Sequence, residues 1–328
     1  MNNTLPTSRV LIAVTVLLLS LLTRPLASQT ATPQASPTQS PAMPQWQIAA
    51  GGKMEFDVVS IHASKPGEFT PPNFDMTAGD KAAWWPNGGL FNADFPVLIY
   101  IAFAYKLFPT PAEVESMLAH QSKWVSEEDM AIRMRASGNP TKDQARLMMQ
   151  SMLADRFKLA IHFETRQVPV LALTLIRPGK LGAKIRRHAD GPACDVSVPP
   201  PAKGSLAKGP DLTPPGCGLW MTVPKPNHMM LDGARDVSMP LITAYLSNEA
   251  HMDRPIVDQT GLKGNYDFSL RYSEESDQPA TSGAEAAPDS QGTTFLEALK
   301  EQLGMKLVRT IAPVLVPVID HIERPSEN

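Results

Sequence analysis

The sequence predicts an α+β fold built from an internally duplicated helix–strand–helix–strand–strand unit with an antiparallel or mixed sheet. Three patterns predict it, each occurring twice and in the same order: a proline-opened helix, an alternating strand and a capped amphipathic helix.

The first pattern is Asp94-Phe95-Pro96-Val97-Leu98-Ile99, matched by Ser238-Met239-Pro240-Leu241-Ile242. An Asp or Ser oxygen can accept from the free amides of a first helical turn, and proline there forfeits no helical hydrogen bond. The second is Asp129-Met130-Ala131-Ile132-Arg133-Met134, matched by Asp267-Phe268-Ser269-Leu270-Arg271-Tyr272. Strand alternation places Met130, Ile132 and Met134 on one face, with Phe268, Leu270 and Tyr272 as counterparts. The third is a helix with capping-box spacing, Thr141 with Gln144 and Thr294 with Glu297. Ala145, Met148, Met149, Met152 and Leu153 form one apolar stripe; Phe295, Ala298, Leu299, Gln302 and Leu303 hold the equivalent spacing. These stripes read as core.

Each helix runs into apolar-Lys-Leu, at Phe157-Lys158-Leu159 and Met305-Lys306-Leu307. A strand hairpin is expected after both, with second arms starting at Pro169-Val170-Leu171 and Pro313-Val314-Leu315. Pro240 follows Pro96 by 144 residues, Asp267 follows Asp129 by 138, and Pro313 follows Pro169 by 144. Three matches in one order indicate duplication. A leading strand is expected in each repeat, the first within Met54–Ile61. Ser64–Gly88, holding Trp84-Trp85, reads as loop.

The 328 residues are 43% hydrophobic, enough for a sizeable core. Residues 1–27 contain two arginines and no acid, leaving 28 basic and 33 acidic residues beyond them, a net charge near -5. No basic face with interleaved aromatics is present, so nucleic acid is not an expected partner. Lys184, Arg186 and Arg187 read as a solvated loop.

Val10–Leu22 is an apolar run broken only by Thr15 and Ser20, between Arg9 and Arg24. Its length fits a signal-peptide core and falls short of the ~20 residues of a spanning helix. Pro25-Leu26-Ala27 offers a small residue for cleavage but a poor Pro25 before it, so a cleaved signal and an uncleaved anchor both stand. The expected location is periplasmic or extracellular, with membrane contact only through such an anchor. Ser28–Gln47 is rich in Pro, Gln, Ser and Thr and cannot offset its ordering entropy by burial. The organisation is therefore 1–27 signal, 28–50 linker, 51–185 first repeat, 186–226 connection and 227–328 second repeat. The acidic segment 273–292 reads as an exposed loop.

Cys194 and Cys217, an even pair in an exported chain, predict a disulfide across the connection. Buried free thiols are the alternative. A metal needs more ligands; only His188 and His228 flank the pair, without four-ligand spacing, so no metal or cofactor is expected.

The stretches Ala154-Asp155-Arg156-Phe157-Lys158-Leu159, Arg254–Asp267, Glu301-Gln302-Leu303-Gly304-Met305-Lys306-Leu307 and Val318–Pro325 resemble the soil-associated protein family best known from Acidobacteria, a domain of unknown function. The resemblance runs from about Met54 to Asn328. It implies export and a likeness to a segment attached to some BlaR-type antirepressor metallopeptidases. This chain lacks the HExxH signature, so that activity does not transfer, and the family supplies no catalytic residues.

Asp320-His321-Ile322-Glu323 sets carboxylates on both sides of a histidine, groups suited to acid–base or ligand roles. In a strand His321 and Glu323 share a face and Asp320 takes the other. His162 and Glu164 share a face by the same rule. These three, His321, Glu323 and His162, are the weak catalytic candidates. Asp258–Asp267 has the glycines of tight turns and lacks Walker A or EF-hand order. The leading expectation is a non-enzymatic envelope module that binds a small molecule, a peptide or an envelope protein. The alternatives are an extracytoplasmic hydrolase and a regulatory partner domain of an envelope peptidase.

Overall fold

The structure is a computed structural model describing residues 44–326 except 66, 68, 78, 80–83, 85, 86, 192–210, 215, 250–253 and 274–292. The predicted signal segment, most of the linker, Trp85, Cys194 and most of the acidic loop lie outside the described residues.

The chain runs α1 (Gln45–Ala49), β1 (Val58–Ala63), β2 (Leu90–Pro96), α2 (Val97–Tyr105), α3 (Pro111–Leu118), α4 (Trp124–Glu127), β3 (Asp129–Arg135), α5 (Lys142–Arg156) and β4 (Ala160–Leu175). It continues through β5 (Ile185–Arg187), a 3-10 turn (His188–Asp190), β6 (Leu219–Lys225), β7 (Met229–Ser238), α6 (Met239–Glu249), β8 (Ile256–Asp258), β9 (Asn265–Ser273), α7 (Phe295–Ala298), a π-helical turn (Leu299–Leu303) and β10 (Met305–His321). Strand–helix–strand–helix–strand occurs twice, as β2-α2-β3-α5-β4 and β7-α6-β9-α7-β10. The fold is α+β.

Each repeat builds a core between a sheet and two helices. In the first, the antiparallel sheet β1-β3-β2 turns Ile61, Phe91, Met130, Ile132 and Met134 toward Ile101 and Phe103 of α2 and the α5 stripe. In the second, the antiparallel sheet β5-β9-β7-β6 turns Ala234, Phe268, Leu270 and Tyr272 toward Ile242 and Leu246 of α6 and toward Phe295, Leu299 and Leu303. Each such leucine removed from water is worth roughly 1.5–3 kcal/mol. Two cations are enclosed in the first repeat as well. Lys142 Nζ donates to Asp75 Oδ2 (2.7 Å) and Gly79 O (2.6 Å). Arg146, 0% exposed, donates to Asp143 and to the carbonyls of Thr77 and Gly79 at 3.2 Å. The loop before β2 is thereby tied to α5.

The expected hairpins are absent: each repeat closes on a single long strand. β4 and β10 pair antiparallel along their whole length. The prolines do not break them, for a geometric reason. Leu171 N donates to Pro255 O and Gln259 N to Leu173 O, so odd residues of β4 direct their backbone groups toward β8. Pro169 shares that parity, and opposite it odd residues of β10, including Pro313 and Pro317, face the open edge. No ladder hydrogen bond is lost, which is where strand prolines are tolerated.

Val168 pairs with Ala312, and these two are 144 residues apart, the spacing of the repeats. The ribbon's pseudo-two-fold therefore passes through that pair, and the cores interleave. β4 leaves the first core beside Leu159 and Ile161 and ends in the second with Leu171 and Leu173. β10 starts in the second with Met305 and ends in the first with Ile319. Residues 43–328 form one compact unit.

Three local readings are corrected. Asp94 does not cap α2. It lies in β2, where its carboxylate accepts from Thr70 N (3.0 Å) and pairs with Arg133, and Pro96 precedes the helix without a side-chain cap. Of Lys184, Arg186 and Arg187, only Lys184 lies in a turn as expected of a loop; the two arginines are in β5. Residues 185–187 pair with β9, and Lys184 and Arg186 are held by Asp211 and Asp267. The end of the predicted linker is ordered as α1, where Lys106 lies 4.4 Å from the Trp46 ring centre and Gln47 donates to Gln150.

Candidate functional site

Between the two cores, against the middle of the β4–β10 ribbon, lies a cleft of about 360 Å3. One wall is the α2–α3 connection. Lys106 ends α2 in the left-handed region at φ 55°, turning the chain so that Tyr105, Leu107 and Phe108 face the cleft. Thr110 and Glu113 close that wall with a reciprocal capping box. The other wall is α6 with Pro255–Val257, and Phe163, Val314, Leu315 and Pro317 of the ribbon form the floor. The Thr243 and Ser247 hydroxyls of α6 are spent on nearby backbone. Thr243 donates to Pro240 O (2.9 Å), and Ser247 donates to Thr243 O and accepts from Ile256 N, both at 2.8 Å. What faces the cleft is mainly aromatic, prolyl and aliphatic. Phe108 meets Tyr245 at 4.4 Å, and Tyr245 stacks on Trp220 at 4.8 Å, a ladder of rings crossing from one repeat to the other.

The histidine candidates sit on the ribbon's exposed end. His162 Nδ1 lies 2.7 Å from Asp320 and Nε2 lies 3.1 Å from Glu164, which also accepts from Arg166 at 2.8 Å. Asp320, and then Glu164, raise the His162 pKa above its ordinary value by accepting hydrogen bonds from the ring. Both ring nitrogens of His162 are thereby engaged by carboxylates. His321 and Glu323 pair with one another at 2.8 Å. The row Asp320–His162–Glu164–Arg166 alternates in sign along one face.

A second cluster, not anticipated from sequence, lies on the outer face of β9. His188 Nδ1 is 2.7 Å from Asp267 Oδ1, and Asp267 is 5% exposed. The same oxygen accepts from Asp236 N at 2.9 Å. A bulge in β7 between Ala234 and Val237 makes this possible: Asp236 adopts φ 55°, and its amide leaves the ladder for Asp267. Asn265 Nδ2 donates to Asp236 Oδ1 at 2.7 Å. Gly218 N donates to Arg235 O at 2.8 Å, which holds Cys217 alongside, 3.9 Å from His188 Nε2. His188, Cys217 and Asp236 each offer a ligand atom, all within 4.8 Å of one another. A recess of about 190 Å3, bordered by Lys184, Arg186, Asp211 and Asp267, opens beside them.

The structure thus brings His162 to Glu164 and Asp320, and His321 to Glu323. Cys217 it brings to His188, Asp236 and Asp267, which no local spacing could reveal because they come from four separate segments. The partner predicted for Cys217, Cys194, lies outside the described residues. Trp84 packs among Phe74 and Phe91 and donates its indole N–H to Pro140 O at 2.8 Å. Within 258–267, Thr260 N donates to Asp258 and Gly261 and Gly264 take positive φ, the geometry of turns.

A search of curated proteins and of solved structures finds no match to the chain. A family model matches residues 99–322, from within α2 through the end of β10, and so covers most of the first repeat, the second repeat and the ribbon. The chain belongs to the family described as Protein of unknown function (DUF3738).

Proposed function

We propose that the chain is an exported, non-enzymatic binding module whose inter-repeat cleft holds a small, largely apolar ligand. The cleft itself carries this reading: each repeat supplies one wall and the shared ribbon the floor, so the site exists only in the duplicated form. Its volume of about 360 Å3 falls in the range of small-molecule pockets. Both ring nitrogens of His162 are taken up by Asp320 and Glu164, which favours the binding reading over the hydrolase one. Export follows from the charged-flanked apolar run Val10–Leu22, and in an oxidising compartment Cys194 and Cys217 pair. Resemblance to the soil-associated family and to a peptidase-linked segment fits a module that reports ligand to a partner.

The test is a thermal-shift screen of the purified chain against apolar small molecules, sugars, cell-wall fragments and short peptides. A ligand at a hundredfold excess over Kd adds ~2.7 kcal/mol to the folded state. Leu315 is 60% exposed at the cleft, so Leu315→Glu leaves the unliganded protein folded and abolishes the shift of an apolar ligand. A shift that survives Leu315→Glu, or that only polar ligands produce, refutes the cleft assignment.

A further inference from the structure

We propose that His188, Cys217 and Asp236 form a redox-gated site for a divalent zinc-type cation, with Asp267 as its outer-sphere partner. The ligand atoms lie within 4.8 Å of one another. Imidazole nitrogen, thiolate and carboxylate together are the donor set that a borderline-soft cation takes. Zinc–nitrogen and zinc–sulfur lengths of about 2.1 and 2.3 Å at a tetrahedral angle set the two donors roughly 3.6 Å apart. Here Nε2 and Sγ are 3.9 Å apart and all three donors lie within 4.8 Å, so the ligands must draw together to seat the ion.

The surroundings have the form that metal ligands require. Metal-bound histidines pass their other ring N–H to a carboxylate, which fixes the tautomer and raises ligand basicity. His188 does this through Nδ1 to Asp267 at 2.7 Å. Asp236 is likewise oriented by Asn265 at 2.7 Å. Asp267 is in turn fixed by Asp236 N (2.9 Å) and approached by Arg186 (3.4 Å). Three protein ligands leave a fourth position open to water or an anion, and the neighbouring recess with Lys184 and Arg186 gives such a group room.

The gate is Cys217 itself. Joined in a disulfide, its sulfur is no ligand. A dithiol reductant supplies two electrons and two protons, breaks the S–S bond into two thiols and leaves as its own disulfide. The cation then displaces the Cys217 proton to solvent and binds the thiolate. Bridge and metal are therefore alternative states of one sulfur.

The test uses the full chain and Co2+ alone, a spectroscopic stand-in for zinc. After treatment with a thiol-free phosphine reductant, one equivalent of Co2+ is expected to bind, with a thiolate-to-cobalt charge-transfer band and the visible bands of tetrahedral cobalt. The oxidised chain shows neither. Cys194→Ser, which leaves Cys217 reduced, binds without reductant. Cys217→Ser loses the charge-transfer band, and Asp267→Asn weakens binding by roughly 10–100-fold. Absence of the band in both the reduced chain and Cys194→Ser overturns the proposal, as does a band that survives Cys217→Ser. If the native protein carries free thiols, binding needs no reductant; the gating then falls and the site stands.

Discussion

β3 and β9 carry one pattern, Asp-apolar-small-apolar-Arg-apolar, and their inward faces behave alike. Met130, Ile132 and Met134 are buried, as are Phe268, Leu270 and Tyr272. The outward faces differ. On β3, Asp129 is exposed, and Arg133 reaches across the sheet to Asp94. On β9, Asp267 and Ser269 are buried beneath the connection: Leu212 N donates to Ser269 Oγ at 2.9 Å, and His188 bonds Asp267. The same aspartate is a solvated side chain in one repeat and the anchor of a polar cluster in the other. The inward face is set by packing, which both repeats must satisfy. The outward face is set by whatever chain happens to cover it, and that is where the repeats have acquired different chemistry.

The largest expected effects test whether the inward likeness makes one cooperative body. Leu153 and Leu303 hold equivalent stripe positions and are both 0% exposed. Leu153→Ala and Leu303→Ala should each cost about 3 kcal/mol. That lowers Tm by roughly 6–12 °C at about 2–4 °C per kcal/mol. Because the ribbon gives each core a strand end from the other repeat, both variants should shift a single calorimetric transition. Two transitions, each moved by only one of the variants, would mean that the repeats unfold separately.

A smaller effect separates the two helices. Arg146 of α5 and Leu296 of α7 are 150 residues apart, the spacing of the matched stripes, yet Arg146 is 0% and Leu296 56% exposed. Arg146→Ala leaves the carbonyls of Thr77 and Gly79 with fewer donors and opens a gap under Phe103, whose ring lies 5.5 Å from the guanidinium. The cost should be about 2 kcal/mol by urea denaturation. Leu296→Ala should stay within about 0.5 kcal/mol. Equal losses would show that the buried cation adds nothing beyond its helix position.

The duplication was legible because periodicity and capping are local signals. Thr141 with Gln144 and Thr294 with Glu297 form capping boxes at those positions. The long strands were not legible, because Pro169 and Pro313 signal a break unless the side of the ladder they face is known, and parity against a distant partner decides that. Asp94 misled for a similar reason. It has the right residue type one step from a helix, but Arg133, 39 positions away, holds its carboxylate. The pairings His162–Glu164 and His321–Glu323 follow from one-residue gaps in a strand. His162 with Asp320, 158 positions apart, and the whole His188 cluster depend on pairing between segments and on a β7 bulge, which leave no mark in local spacing.

The smallest effect lies at the ribbon's end. About the pseudo-two-fold through Val168 and Ala312, His162, Glu164 and Asp320 map onto Lys306, Val308 and Ile176, so the charged row exists at one end alone. The His162 pKa is raised, first by Asp320 and then by Glu164. With the folded value above the unfolded ~6.5, the stabilisation is fully present below that pH and is lost as pH rises through the folded value. The side chain is exposed, so the effect on global stability is slight. The ring itself reports it directly. Proton NMR of His162 should give a titration midpoint above ~6.5, which Asp320→Asn brings down and Glu323→Gln leaves unmoved, since Glu323 bonds His321 instead. A midpoint indifferent to Asp320→Asn would mean that the row is not formed in solution.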